Sequence, residues 1–146
     1  MADVTVLAID EMEPIYEGLA RRARASLGVS SFAMQVMTLP PGSEGYPDHV
    51  HDYTVEDANQ EEVYIPLHSS ATPIAGEARH ELRPGVMVRV GPEQRRRILP
   101  DPDGLRRIAL GGVPGTFRAS PWTELGGPLP VPAKAVSDER DGSASV

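Results

Sequence analysis

From Ser31 onward the chain is cut into short strand-length runs, each closed by glycine, proline or polar residues. The runs are 31–39 (SFAMQVMTL), 49–51 (HVH), 62–67 (EVYIPL), a stretch around 77–82, 86–90 (VMVRV), 95–99 (RRRIL) and 105–110 (LRRIAL). Between them lie PPG at 40–42, Pro84-Gly85, PDPDG at 100–104 and GGVPG at 111–115. Segments this short cannot form the helices of a bundle. With turn residues at each break they read as the strands of a sandwich or barrel. The 14 glycines and 15 prolines among 146 residues fit the same reading. The expected fold class is therefore mainly all-β.

The first 30 residues carry a different pattern. Residues 2–8 (ADVTVLA) read as a short strand. Residues 13–27 (EPIYEGLARRARASL) place Ile15, Leu19, Ala23 and Leu27 at spacing four, which predicts a helix. Pro14 suits its first turn, acids gather at its start and arginines at its end, and Gly28 is a natural stop. The expected organisation is a strand and helix over 1–30 packed on a barrel over 31–125, then a Pro-rich, flexible tail over 126–146.

Bulk properties remove several function classes. A net charge of -7 opposes binding to nucleic acid or to an anionic membrane. The absence of cysteine removes disulfides, thiolate zinc sites and a thiol nucleophile. No apolar run is long enough to span a membrane, and the acidic N-terminus is unlike a signal peptide. A cytoplasmic protein is expected. GGVPG lacks a following Lys-Ser/Thr and reads as a turn rather than a phosphate loop.

Chemistry concentrates at 47–70, PDHVHDYTVEDANQEEVYIPLHSS. His49 and His51 project to one face if HVH is extended, and Glu62 opens the next run. Two imidazoles and a carboxylate can hold a first-row divalent metal and leave positions open for substrate. Solvent-facing histidines in a polar loop are the plain alternative.

The spacing of these residues resembles the cupin family, small jelly-roll β-barrels marked by G-x5-H-x-H-x3,4-E-x6-G and G-x5-P-x-G-x2-H-x3-N. Gly42 lies one residue further from His49 than that pattern asks, His49-Val50-His51 matches, and Glu62 rather than Glu61 takes the carboxylate position. Ser69 falls where the first pattern ends in glycine. Gly85 opens the second, whose frame puts Gly91 at the proline, Glu93 at the second glycine, Arg96 at the histidine and Pro100 at the asparagine. The resemblance covers roughly 31–112. It implies a cupin β-barrel, a metal (Fe, Mn, Ni or Zn) on His49, His51 and Glu62, a small-molecule ligand or substrate, and a homodimer.

Two departures matter. Arg96 stands where relatives supply a third histidine, and a guanidinium does not ligate metal. Either the triad holds metal and Arg96 orients an anionic substrate group, as in an oxygenase- or lyase-type enzyme, or no metal binds and Arg96 pairs with Glu62 in a ligand-binding barrel. A metal-free general base at Glu62 or a histidine is the third reading. The ten residues between His51 and Glu62 also exceed the family's three or four, forming either a lid or a solvated loop.

Tyr53 in that insertion and Tyr64, on the face of Glu62, are candidate catalytic residues beside Arg96. His68 and His80 read as turn and surface residues, and Trp122 as part of a barrel closure or an interface. In 31–39, either Phe32, Met34 and Val36 or Ala33, Gln35 and Met37 line the interior; periodicity does not say which.

Overall fold

The computed structural model describes residues 2–43, 46–51 and 59–117. Its elements lie in one compact unit, Met1–Pro114, and a second unit, Gly115–Val146, falls mostly outside the described residues. Tyr53, Trp122 and the Pro-rich tail lie outside them, as does most of the His51–Glu62 insertion.

Eight strands form one antiparallel sheet: β1 (Pro14–Ile15), β2 (Ala20–Arg21), β3 (Ala33–Leu39), β4 (Tyr46–His49), β5 (Glu61–Ala75), β6 (Ala78–Arg79), β7 (Val88–Val90) and β8 (Arg96–Gly112). Their order is β1-β2-β3-β8-β5-β6, with β4 added to β8 and β7 to β5. Among the described residues the path does not close on itself. The all-β expectation holds.

β5 and β8 are long because their breaks do not end pairing. EVYIPL continues through HSS to Ala75, and RRRIL joins LRRIAL through PDPDG. The register shifts at Pro66/His68 and again at Ser69/Ala71. Pro66 is tolerated at this bulge because irregular pairing needs no donor from it. The irregularity also changes phase. Glu62, Tyr64 and Pro66 are buried before it and Ala71 and Pro73 after it; on β8 Arg96 and Ile98 are buried before PDPDG and Leu105, Arg107 and Ala109 after.

Register shows how sharply the pair bends. Arg96 lies opposite Ala75, thirteen positions along β5 from Glu62 (62 to 75). At about 3.3 Å per residue a straight ribbon would hold them roughly 40 Å apart. Their side chains are 2.7 Å apart. The bulged ribbon therefore folds back, bringing the start of β5 against the start of β8.

The N-terminal expectations are corrected. Residues 2–8 form no strand, although Leu7 among them packs against the cluster of Met12, Ala23 and Val36. The helix is only α1 (Ala23–Leu27). Tyr16, Glu17 and Gly18 take positive φ, which turns the chain so that Pro14 and Ile15 pair with Arg21 and Ala20. β2 then pairs with β3, so this region extends the sheet. Gly28 does stop α1, at φ 78. Shorter strands than expected occur at 77–82 and 86–90, where only β6 and β7 pair regularly.

Two apolar clusters lie on opposite faces of β3. Met37 and Leu39 join Ala20, Tyr64, Ala71, Leu82, Val90, Ile98, Leu105 and Ala109 inside. Val36 and Met34 instead meet Met12, Ala23, Leu27, Leu7, Ile9 and Ile108 outside. Met37 thus marks the interior face of that strand.

Gly104 fixes the bend of β8. It has φ +82, and a Cβ there would lie 2.5 Å from the Leu39 carbonyl oxygen and 3.0 Å from the Pro41 nitrogen. Gly76 has φ +61 but open space around it. Denaturant unfolding should show Gly76→Ala costing about 1 kcal/mol from strain alone, and Gly104→Ala about 2 kcal/mol or more because backbone must also move. Equal costs would remove the close approach as the reason for this glycine.

Candidate metal centre

Alternation on β5 turns Glu62 and Tyr64 inward together, as expected, and both are buried. Glu61, one step out of phase, pairs instead with Arg89 of β7. At the start of β8 Arg96 is fully buried while Arg95 and Arg97 are exposed. His49 ends β4 directly opposite Arg96.

His51 arrives by a different route. β4 ends at His49, so HVH is not one strand. The His51 N–H donates to the Pro92 carbonyl at 3.0 Å and its carbonyl accepts from the Asn59 N–H at 2.6 Å. These loop bonds bring its buried ring to the same place as His49, with centroids 5.3 Å apart and planes at 82°.

Four polar contacts at the centre converge on one oxygen. Glu62 Oε2 accepts from the Tyr64 hydroxyl at 2.6 Å and from Arg96 Nη2 at 2.7 Å. His51 Nε2 lies 3.3 Å from it and His49 Nε2 3.8 Å. Arg96 also donates through Nε to the Tyr64 hydroxyl at 3.2 Å and through Nη1 to the Gln94 carbonyl at 2.9 Å. Each of its three nitrogens thus serves the protein, and the Arg96–Glu62 pair is present.

The donor set fits a divalent ion. Metal–ligand bonds of about 2.0–2.2 Å require donor pairs roughly 3 to 3.5 Å apart in tetrahedral or octahedral geometry. One atom each from His49, His51 and Glu62 lie within 4.8 Å of one another, somewhat wider than that spacing, with His51 Nε2 already 3.3 Å from Glu62 Oε2. Two neutral imidazoles and a carboxylate suit a first-row transition metal.

Charge is set by the same contacts. Burial pushes the Glu62 carboxyl up, but the contacts with His49, Tyr64 and Arg96 and the nearby His51 outweigh it and hold the group well below its ordinary 4.5. Burial, then the Glu62 charge, pushes Tyr64 up to about 12. For Arg96 burial works against the charge, and the Tyr64 and Glu62 contacts overcome it. Glu62 is therefore an anion and Tyr64 a neutral donor across the ordinary pH range.

One residue of this network escaped the sequence reading. Arg107 is buried on β8, its guanidinium carbon 4.2 Å from the Tyr64 ring centroid. Its signal was alternation: in LRRIAL it shares a phase with Leu105 and Ala109. His68 lies exposed at the β5 bulge, bonded to the Ser69 hydroxyl at 2.9 Å, and His80 is also exposed.

No family model matches the sequence, and no curated protein matches it significantly. Solved structures do. A cupin protein from Bacteroides fragilis is 19% identical and superposes with a TM-score of 0.65 over 90% of this chain and 100% of its own. A sugar phosphate isomerase of the cupin superfamily from Silicibacter pomeroyi is 17% identical, with a TM-score of 0.58 over 73% and 74%. A Cupin 2 conserved barrel domain protein from Salinispora arenicola is 18% identical, with a TM-score of 0.57 over 76% and 88%.

Two measurements test the network. Arg96→Met removes the cation beside a buried carboxylate and should cost about 3–5 kcal/mol in denaturant unfolding, most of it recovered when Glu62→Met is added. Additive losses would mean the two charges are not coupled. Native Tyr64 holds its proton more tightly than an unfolded tyrosine, so its contribution is complete below pH 10 and is lost as pH rises toward about 12. Tyr64→Phe should flatten that alkaline loss; unchanged slopes would show a freely ionising Tyr64.

Proposed function

We propose that this chain, whose fold is that of the cupin superfamily, is a small-molecule enzyme holding a divalent transition metal (Fe, Mn, Ni or Zn) on His49, His51 and Glu62. The observation that carries the reading is the convergence of those three side chains, from β4, the loop after it and β5, with one donor atom of each within 4.8 Å of the others. When bound, the metal supplies Lewis acidity or oxygen activation at its open positions, as oxygenase- or lyase-type chemistry requires.

The chain's own residues then have separable tasks. His49 and His51 would offer ring nitrogens to the metal. Arg96 keeps Glu62 ionised, and the Tyr64 hydroxyl fixes the carboxylate by donating to it. The geometry favours this orienting role for Arg96 over direct contact with substrate. A substrate of anionic character still follows: one carboxylate cannot neutralise both Arg96 and a divalent ion, and a ligand anion meets the remainder. Sugar phosphates, the substrates named for the Silicibacter pomeroyi structure, are one such class. A homodimer in the cytoplasm completes the proposal; among the described residues no helix is long and apolar enough to cross a membrane.

A second reading is favoured by one contact. Arg96 Nη2 reaches the same Oε2 that faces both histidines, so Glu62 is already neutralised without metal, as in a barrel that only binds a ligand. The third reading loses support at Glu62, because a carboxyl held below its ordinary range is a weaker base.

Mass-spectrometric metal analysis of untagged protein decides between the first two. About one metal per chain, lost in His49→Ala, His51→Ala and Glu62→Ala, is expected. No uptake after incubation with iron, manganese, nickel and zinc would overturn the metal reading in favour of the ligand-binding barrel.

A further inference from the structure

Arg107 has no task in the proposed chemistry, yet it occupies a position where any apolar side chain would complete the core. It faces Met37 across β3 and Pro66 across β5, and is 2% exposed. Inserting a guanidinium there carries a desolvation cost that a leucine would not. What the arginine adds is visible in its neighbours. Its guanidinium carbon lies 4.2 Å from the centre of the Tyr64 ring, and Nη2 lies 3.7 Å from Met37 Sδ.

Strand register explains why the stack forms. Tyr64 lies directly opposite Ala109, and Arg107 is the diagonal neighbour two residues along β8. The small Ala109 leaves room over which the tyrosine ring and the arginine plane can overlap. A desolvated guanidinium is attracted to the electron-rich face of a phenol, and its plane opposes tilting of the ring. The far end of that ring is the hydroxyl 2.6 Å from Glu62 Oε2. Arg96 grips the same hydroxyl and the same carboxylate from the start of β8, eleven residues away in sequence (96 to 107). Both ends of one bent strand therefore act on one carboxylate.

We propose that Arg107 is a positioning residue for Glu62, acting through the ring of Tyr64 rather than on the carboxylate itself. As a metal-site device this rests on the function proposed above; as a mechanical link between residues 107 and 62 it stands on the stacking and hydrogen-bond geometry. It predicts that the effect of residue 107 on residue 62 exists only while Tyr64 has its hydroxyl.

The test is a double-mutant cycle of Arg107→Met and Glu62→Gln by denaturant unfolding of the metal-free full chain, run in wild-type and Tyr64→Phe backgrounds. Arg107→Lys keeps the charge without the planar stack and serves as the milder variant should Arg107→Met not fold. The expected result is a coupling of about tenfold in the unfolding constant that falls to near unity in Tyr64→Phe. A coupling equal in both backgrounds, or none in either, would overturn the proposal.

The second readout is zinc affinity by chelator competition. Arg107→Met and Arg107→Lys should each weaken it about tenfold, and neither should weaken it further once Tyr64 is Phe. Variants that lose stability yet keep wild-type zinc affinity would make Arg107 a packing residue only. If wild-type protein takes up no zinc, iron, manganese or nickel, the metal reading fails, and the stability cycle alone decides the link.

Discussion

A buried carboxylate must be neutralised, and in this protein the permanent cation that does so is Arg96, whose Nη2 lies 2.7 Å from Glu62 Oε2. Much of the fold can be understood from what it takes to make that contact. The two residues lie far apart along the β5–β8 ribbon, and only a bulged, folded-back ribbon joins them. Gly104 lets β8 pass close to the backbone at Leu39–Pro41, and the shift around Pro66–Ala71 reverses the phase of β5. Each irregularity weakens the ladder locally. Together they allow inward-facing residues to come from both ends of the same strands.

The interior is consequently polar at its largest side chains. Arg96, Arg107 and Tyr64 head the fully buried residues by volume, ahead of Leu82, Ile98 and Val36. The apolar cluster supplies a rigid, water-poor surround in which hydrogen bonds to an anion are strong. The second cluster, built from the N-terminal segment, α1 and the outer face of β3, seals the sheet from behind. Stability and chemistry thus draw on the two faces of β3 separately.

Strand alternation carried most of what was legible in the sequence. It placed Glu62 with Tyr64 and put Arg95 and Arg97 on the face opposite Arg96, while the cupin spacing chose Glu62 over Glu61 and singled out Arg96. Alternation would equally have found Arg107, whose phase is that of Leu105 and Ala109. Spacing four at 15, 19, 23 and 27 misled, because Ile15, Ala23 and Leu27 serve two clusters on opposite faces of the sheet, while Leu19 is exposed. Positive φ at Tyr16 and Glu17, two residues that rarely adopt it, left no local signal beyond Gly18. Turn chemistry at PDPDG marked a real irregularity; whether pairing resumes beyond such a point depends on partner strands remote in sequence. His51 reaches His49 by a route alternation did not supply, since loop hydrogen bonds to Pro92 and Asn59 place it.

The arginine at position 96 changes what the histidines can do. A third imidazole would share a metal and lose its claim on the site when protonated. A guanidinium remains charged at any pH at which the protein folds, and it acts on the carboxylate instead of on the ion. Glu62 therefore stands between a fixed cation and any metal at His49 and His51. Binding must draw part of the carboxylate's charge away from Arg96 or use its other oxygen, so the ion meets a ligand already partly satisfied. Affinity for a metal would fall relative to a site with an unopposed carboxylate, and a bound ion would keep more residual positive charge toward whatever enters the open side. On the proposed function, an arginine here would weaken the hold on a metal and strengthen the demand for an anionic ligand, and Tyr64, hydrogen-bonded to both Glu62 and Arg96, would tie the two effects together.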